Sequence, residues 1–248
     1  MSEQTRSRRI TLSLGPVGIA LPRRVWVTAS ALTALLVGVM VAALFLGTLS
    51  FGADRVAATL LGTGTRVEQL VIVEGRLVRV VGALLVGFGL GLSGALTQSI
   101  TRNPIASPDI LGVTTGASAV AVFFVTNPDT GLAPSAASAT SILTPAALLG
   151  GLLTTALILA LAWRGGFDGM RLVLVGLGVN AVAVAAIGWM MTRASTDGAA
   201  VAARWLSGSV MGVKPEDLAL LAPVVVAGTL ACLALNRSVA SLRVGRGV

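Results

Sequence analysis

The chain has 248 residues, of which 55% are hydrophobic and 11% charged, with a formal net charge of +8. Average soluble proteins carry about 25% charged residues, and a soluble fold of this length could not hide so much apolar surface, so this is an integral membrane protein. No histidine and one cysteine, Cys232 in an apolar run, exclude a Cys/His zinc site and an internal disulfide, and arginines that flank apolar runs rather than forming a basic face argue against a nucleic-acid partner.

Met1 to Arg24 is polar, with Arg6, Arg8, Arg9, Arg23 and Arg24, and reads as an N-terminal cytoplasmic segment (1–24). Val25 to Leu49 carries no charge and makes about 37 Å of helix at 1.5 Å per residue, enough to cross a ~30 Å core with tilt. A signal-peptide core runs to about 7–15 residues, so this run is a retained first span. Ser50 to Gly75 mixes charges (Asp54, Arg55, Arg66, Glu68, Glu74) and reads as extramembrane, with a short helix at Ala53 to Leu61.

The second span, Leu77 to Ile100, has no acid and holds Gly82, Gly87, Gly89, Gly91 and Gly94. A soluble helix would lose roughly 1 kcal/mol at each interior glycine. Between membrane helices the same glycines permit close backbone approach, and Gly87 and Gly91 share a face. Asn103-Pro104 marks a turn. Ser107-Pro108-Asp109 predicts an N-cap, a proline at the first helical position and a first-turn acid, so the third span covers 110–125. Gly112 and Gly116 repeat the four-residue spacing, and all four glycines are expected to face other helices. Packing in any polytopic protein would explain the glycines alone.

Thr126 to Ser141 is a loop rich in Pro, Ala, Ser and Thr. Ile142 to Trp163 is the fourth span, with Gly150-Gly151 as a packing point, and Arg164 to Arg171 is a tight basic loop. Leu172 to Met191 is the fifth span, with Gly176, Asn180 and Val184 on one face. Ser195, Thr196 or Asp197 caps a short helix over Ala199 to Leu206. Pro215-Glu216-Asp217 opens the sixth span, Leu218 to Asn236, and 237–248 is a cytoplasmic tail. The fold class is all-α, a polytopic transmembrane bundle of about six spans: 25–49, 77–100, 110–125, 142–163, 172–191 and 218–236. Eleven Lys/Arg fall on the side of the termini and seven on the other, which places both termini in the cytoplasm.

The residues from Arg76 to Ala117 carry more than glycine spacing. Arg76-Leu77-Val78-Arg79, Ser93-Gly94-Ala95-Leu96-Thr97-Gln98, Asn103-Pro104-Ile105-Ala106-Ser107-Pro108 and Leu111-Gly112-Val113-Thr114-Thr115-Gly116-Ala117 follow one another in order. The string resembles the FecCD family of ABC-importer permeases, which typically shows R-L-P-R, S-G-A-x-x-Q, N-P-L-A-x-P and L-G-V-x-x-G-A. Val78 stands in place of the usual proline and Ile105 of the usual leucine. Trp205-Leu206-Ser207-Gly208-Ser209-Val210-Met211-Gly212 is similar to the family's W-x-x-G segment after the fifth span. Family members have about ten spans against about six here; the resemblance is expected to cover roughly their first three quarters and to end where the family's ATPase-coupling stretch begins.

The resemblance implies the permease subunit of a type II ABC importer in the plasma or inner membrane, for an iron–siderophore or a related chelate such as haem or cobalamin. Its partners would be a second permease subunit (another copy or a paralogue), cytoplasmic ATPases and an extracytoplasmic solute-binding protein. The chain itself would be no enzyme and bind no cofactor; its one lysine, Lys214, lacks a Walker A glycine loop. Arg76 and Arg79 are expected to dock the binding protein. Their bland alternative is snorkelling, with Glu68 or Glu74 as local partners. Gln98, Thr114, Thr115, Ser118 and Asn180 are candidate pathway residues, against interhelical hydrogen bonding at about 0.6 kcal/mol each. Trp205, Ser207 and Gly208 belong to an external gate, against simple interfacial anchoring of the tryptophan. Two rivals stand: an ion-coupled secondary transporter, disfavoured because the six spans hold no acid or histidine, and a truncated or regulatory subunit that does not transport.

Overall fold

A computed structural model describes residues 9–14, 17–127, 139–166 and 168–244. They fall into two compact units, one up to Val81 and one from Gly82 onward.

In the first unit, β1 (Arg9–Leu14) and β2 (Val17–Pro22) pair antiparallel, with Arg9 opposite Pro22 and Leu14 opposite Val17. A plain polar segment was the expectation. The hairpin has a sequence cause: Ile10, Leu12, Leu14 and Val17, Ile19, Leu21 recur at every second position around Gly15-Pro16. The first apolar helix, α1 (Arg23–Phe45), has no buried residue. It ends at Phe45 rather than Leu49. α2 (Ala53–Leu60) lies where a short helix was expected and buries Val56 and Thr59.

A capping box then opens α3 (Arg66–Glu68). The Thr65 N–H donates to Glu68 Oε2 at 2.7 Å, and the Glu68 N–H donates to Thr65 Oγ1 at 3.4 Å. A π-helical stretch (Gln69–Leu77) leads into α4 (Val78–Thr101). The continuous helix of 36 residues from Arg66 to Thr101 is about 54 Å long at the α-helical rise, well beyond a ~30 Å core. Its turns before Leu77 therefore stand outside the apolar span.

In the second unit, α5 (Val113–Thr126), α6 (Ala139–Ala162), α7 (Gly169–Arg193) and α8 (Thr196–Ser207) pack together. One apolar cluster joins Leu111, Ile158, Ala162 and Leu172; another joins Val122, Met190 and Ala202. α9 (Pro215–Val244) starts at the expected proline, and the Lys214 N–H donates back to Asp217 Oδ2 at 2.9 Å. It runs past Asn236 to Val244, so the first part of the expected tail is helical. Of the expected Thr126–Ser141 loop, residues 128–138 lie outside the described ones, and the last of it is already helix α6.

Among the described residues, five helices are long and apolar enough to cross a membrane. The helix in the third expected span is a shorter apolar one, Val113–Thr126, about 21 Å long. It does not begin at Ile110, because Gly112 adopts a left-handed φ of 84° that no right-handed helix contains. The Ile110 N–H does reach Ser107 Oγ at 3.3 Å, so the expected cap exists, but it closes one isolated turn.

Candidate docking and translocation surfaces

In the first unit, the two arginines of the R-x-x-R stretch have different surroundings. Arg76 is 6% exposed. Its Nη1 donates to the carbonyls of Leu44 (2.7 Å) and Phe45 (3.2 Å), and its Nη2 donates to that of Leu49. Its guanidinium carbon lies 5.6 Å from the centroid of the Phe51 ring. This cation sits on the negative end of the α1 dipole and satisfies carbonyls that have no intrahelical partner, which is why α1 stops at Phe45. Gly47 makes room, since a Cβ there would stand 2.5 Å from Arg76 Nη2. Arg79 is exposed, and its Nε donates to the Gly75 carbonyl at 3.0 Å.

Neither Glu68 nor Glu74 pairs with these arginines. Glu68 pairs with Arg55 at 2.7 Å and Glu74 with Arg66 at 3.6 Å. Glu68 is buried, and the Thr65 backbone N–H, helped by the Thr65 hydroxyl and Arg55 against the cost of burial, holds its carboxyl below the usual range. The spacing Thr65-x-x-Glu68 was a legible capping-box signal that sequence reading passed over.

In the second unit, the stretch from Thr101 to Gly112 climbs along α7. A Cβ on Gly169, at the start of α7, would stand 3.1 Å from Thr101 Cα; one on Gly176 would stand 3.0 Å from Leu111 Cα; one on Gly112 would stand 2.9 Å from Asn180 Cα. From Gly169 to Asn180 is about 17 Å at the helical rise. α5 then continues for about 21 Å, until Val125 meets Gly198 beyond the far end of α7. Turn and helix together therefore match the length of α7, about 37 Å. The turn satisfies its own backbone: the N–H groups of Leu111, Gly112 and Val113 donate to the carbonyls of Ser107, Asp109 and Pro108 at 3.2, 3.0 and 3.2 Å.

Gly176 and Asn180 thus face the turn, as their shared face predicted, while Val184 stays 55% exposed. Asn180 Oδ1 is buried without a hydrogen-bond partner among the described residues. Thr114, Thr115 and Ser118 are partly buried on α5, and Thr114 Oγ1 donates to Asp109 Oδ1 at 2.6 Å. Asp109, read above only as a first-turn acid, is an exposed carboxylate at this turn. Gln98 stands apart from this group on an exposed face of α4.

The four small-residue positions divide. Gly112 and Gly116 are packed, Gly116 against Thr154 of α6. Gly87 and Gly91 would meet nothing within 4 Å, so their expected helix neighbours are not found among the described residues. α4 instead packs through Gly82, against Leu218 and Val213, and through Gly89, against Val225. Helical spacing identifies which residues share a face; it carries no information on which face has a neighbour.

Ser195 caps α8 by accepting from the Gly198 N–H at 3.2 Å. Gly208 ends it at a φ of 65°, donating to the Trp205 carbonyl at 3.1 Å. Trp205 is 37% exposed, and the Ser207 hydroxyl donates to the Ala203 carbonyl at 2.8 Å.

The FecCD transport family matches residues 34–248. Two curated relatives are the ferric enterobactin transport system permease protein FepG of Escherichia coli (strain K12) and the achromobactin transport system permease protein CbrC of Dickeya dadantii (strain 3937). They are 36% and 39% identical, over 80% and 77% of this chain and 58% and 55% of theirs. A solved metal-chelate type ABC transporter in an inward-facing conformation superposes with a TM-score of 0.71 at 27% identity, over 86% of this chain and 63% of its own. The chain spans 55–63% of the length of these proteins, less than the three quarters expected from the sequence.

Proposed function

Because this chain belongs to the FecCD transport family, we propose that it is a membrane-spanning permease subunit of an ATP-driven importer for an iron–siderophore or a related metal chelate. Two such subunits, identical or paralogous, enclose the pathway. A solute-binding protein delivers the chelate outside, and separate ATPases hydrolyse ATP in the cytoplasm, where both termini of this chain lie.

The observation that carries this reading is the run from Thr101 to Val125 alongside α7. Non-helical backbone at membrane depth is tolerated only where protein buries it or a water-filled cavity adjoins it. The turn reaches half-way along α7, where Gly112 meets Asn180, so its exposed side, with Asp109 bonded to Thr114, is the pathway wall. It completes a third crossing in which only the second half is helix. Thr115 and Ser118 extend that wall along α5, and Gln98 is assigned to the subunit contact. Trp205, Ser207 and Gly208 form the outer gate at the end of α8.

For docking, Arg79 offers its guanidinium to a carboxylate of the binding protein, while Arg76 holds the platform. Planar guanidinium suits a carboxylate, and a rim contact of this kind speeds association in a salt-sensitive way.

The test is uptake of a radiolabelled ferric siderophore by cells that depend on this chain. ATP depletion with the membrane potential clamped should abolish it. Uptake that persists under those conditions would assign an ion-coupled carrier instead.

A further inference from the structure

A groove of about 660 Å³ opens between α6 and α7, wholly within the second unit. Leu157 and Leu161 wall it on one side, Val175 and Val182 on the other, and Arg164 and Arg171 stand together where α6 ends and α7 begins. Gly178 also lines it, and a Cβ there would meet nothing within 4 Å, so the missing side chain deepens the trough. Its walls are open: Leu161 is 54% and Val182 70% exposed.

The two guanidiniums have no counter-charge among the described residues. Arg171 lies in the first turn of α7, where the helix dipole disfavours a cation. Its Nη1 donates to the Arg164 carbonyl at 3.3 Å, which draws the two residues together without neutralising either. Among the described residues neither has a carboxylate within ion-pairing distance. Asp168, the acid between them, uses its Oδ1 to accept from the Met170 N–H at 3.0 Å as the α7 cap.

We propose that this groove binds one anionic phospholipid, with its phosphate on Arg164 and Arg171 and an acyl chain lying over Gly178 toward Val182. From Arg171 to Val182 the trough runs roughly 16 Å along α7 at the helical rise. Arginine pairs recognise phosphate through their planar forks, and basic pockets between membrane helices hold anionic headgroups. An apolar helix seated in the groove would have to bury two cations without partners, which is costly. Ordinary snorkelling places arginines among headgroups but retains no individual lipid. The proposal stands apart from the transport reading and survives or fails without it.

The experiment incorporates the full chain into nanodiscs of equal phosphatidylglycerol and phosphatidylcholine, releases it into detergent, and identifies retained lipid by native mass spectrometry. Roughly fivefold selectivity per arginine predicts about a thirtyfold preference for phosphatidylglycerol. Arg171→Gln should reduce it to about fivefold and Arg164→Gln with Arg171→Gln to near none. Gly178→Leu fills the trough and leaves both arginines in place; it should cut total retained lipid severalfold with an unchanged melting temperature. Equal retention of the two lipids by the unmodified chain overturns the proposal. So does a preference that survives loss of both arginines, or retention unaffected by Gly178→Leu. The last variant decides the matter alone if the arginine variants fail to fold.

Discussion

Replacing Arg76 by alanine deprives the carbonyls of Leu44, Phe45 and Leu49 of their donor. The first two lie in the last turn of α1, and the third holds the chain that leaves it. Hydrogen bonds to a charged group contribute about 1.5–3 kcal/mol each, but these three share one guanidinium, so the joint loss is on the order of 3 kcal/mol. The Phe51 face adds about 0.5–1 kcal/mol. For a chain of this size, about 3 kcal/mol corresponds to a fall in Tm of roughly 6–12 °C. Arg76→Lys keeps the charge but loses the fork and should recover only part. Gly47→Ala pushes a methyl into the guanidinium and should destabilise the wild type, yet cost nothing once Arg76 is alanine. Thermal melting of the four variants in one detergent completes that cycle. Arg79→Ala, by contrast, should melt like wild type and slow association of the binding protein. If Arg76→Ala also melts like wild type, and slows association as much as Arg79→Ala does, the cap assignment is wrong and both arginines dock.

Gly112→Ala combines left-handed strain of about 1–3 kcal/mol with a Cβ against the Asn180 backbone, so the folded yield should fall sharply. A Cβ at Gly91 would meet nothing within 4 Å, so Gly91→Leu should fold normally as a single chain, while lowering assembly if a second subunit covers that face; equal yields of the two variants would refute the difference. The Glu68 carboxyl is depressed by the Thr65 cap, so its stabilisation is complete above the ordinary glutamate pKa of about 4.3 and disappears as the pH falls through the lower folded value. Glu68→Gln should flatten that acid limb of a melting-temperature profile. For topology, an impermeant thiol reagent added outside should label a cysteine at Asp197 and miss one at Gly166 or Arg9; labelling at Gly166 would invert the assignment. A cysteine at Thr130, outside the described residues, should label with Asp197.

Local chemistry was readable in the sequence wherever its cause lies within a few residues. The apolar runs place five long helices because burial of apolar surface needs only composition and length. Ser195 and Pro215 open α8 and α9 as expected, since a cap acts on backbone groups two or three residues away. Gly116 and Gly150 mark close approach of α5 and α6 because small residues do so wherever helices meet.

Contacts between distant residues settled the rest. Arg76 looks like a surface cation in the sequence; it becomes a helix cap because the carbonyl of Leu44 lies next to it in space. Gly87 and Gly91 have the same spacing as Gly112 and Gly116 but no neighbour within 4 Å of a Cβ among the described residues, since periodicity fixes a face and leaves its partner open. Ser107-Pro108-Asp109 satisfies every local rule for a helix start. The helix nevertheless waits for Val113, because the left-handed Gly112 seats the turn against Asn180, a contact between residues far apart in the chain that no local signal encodes.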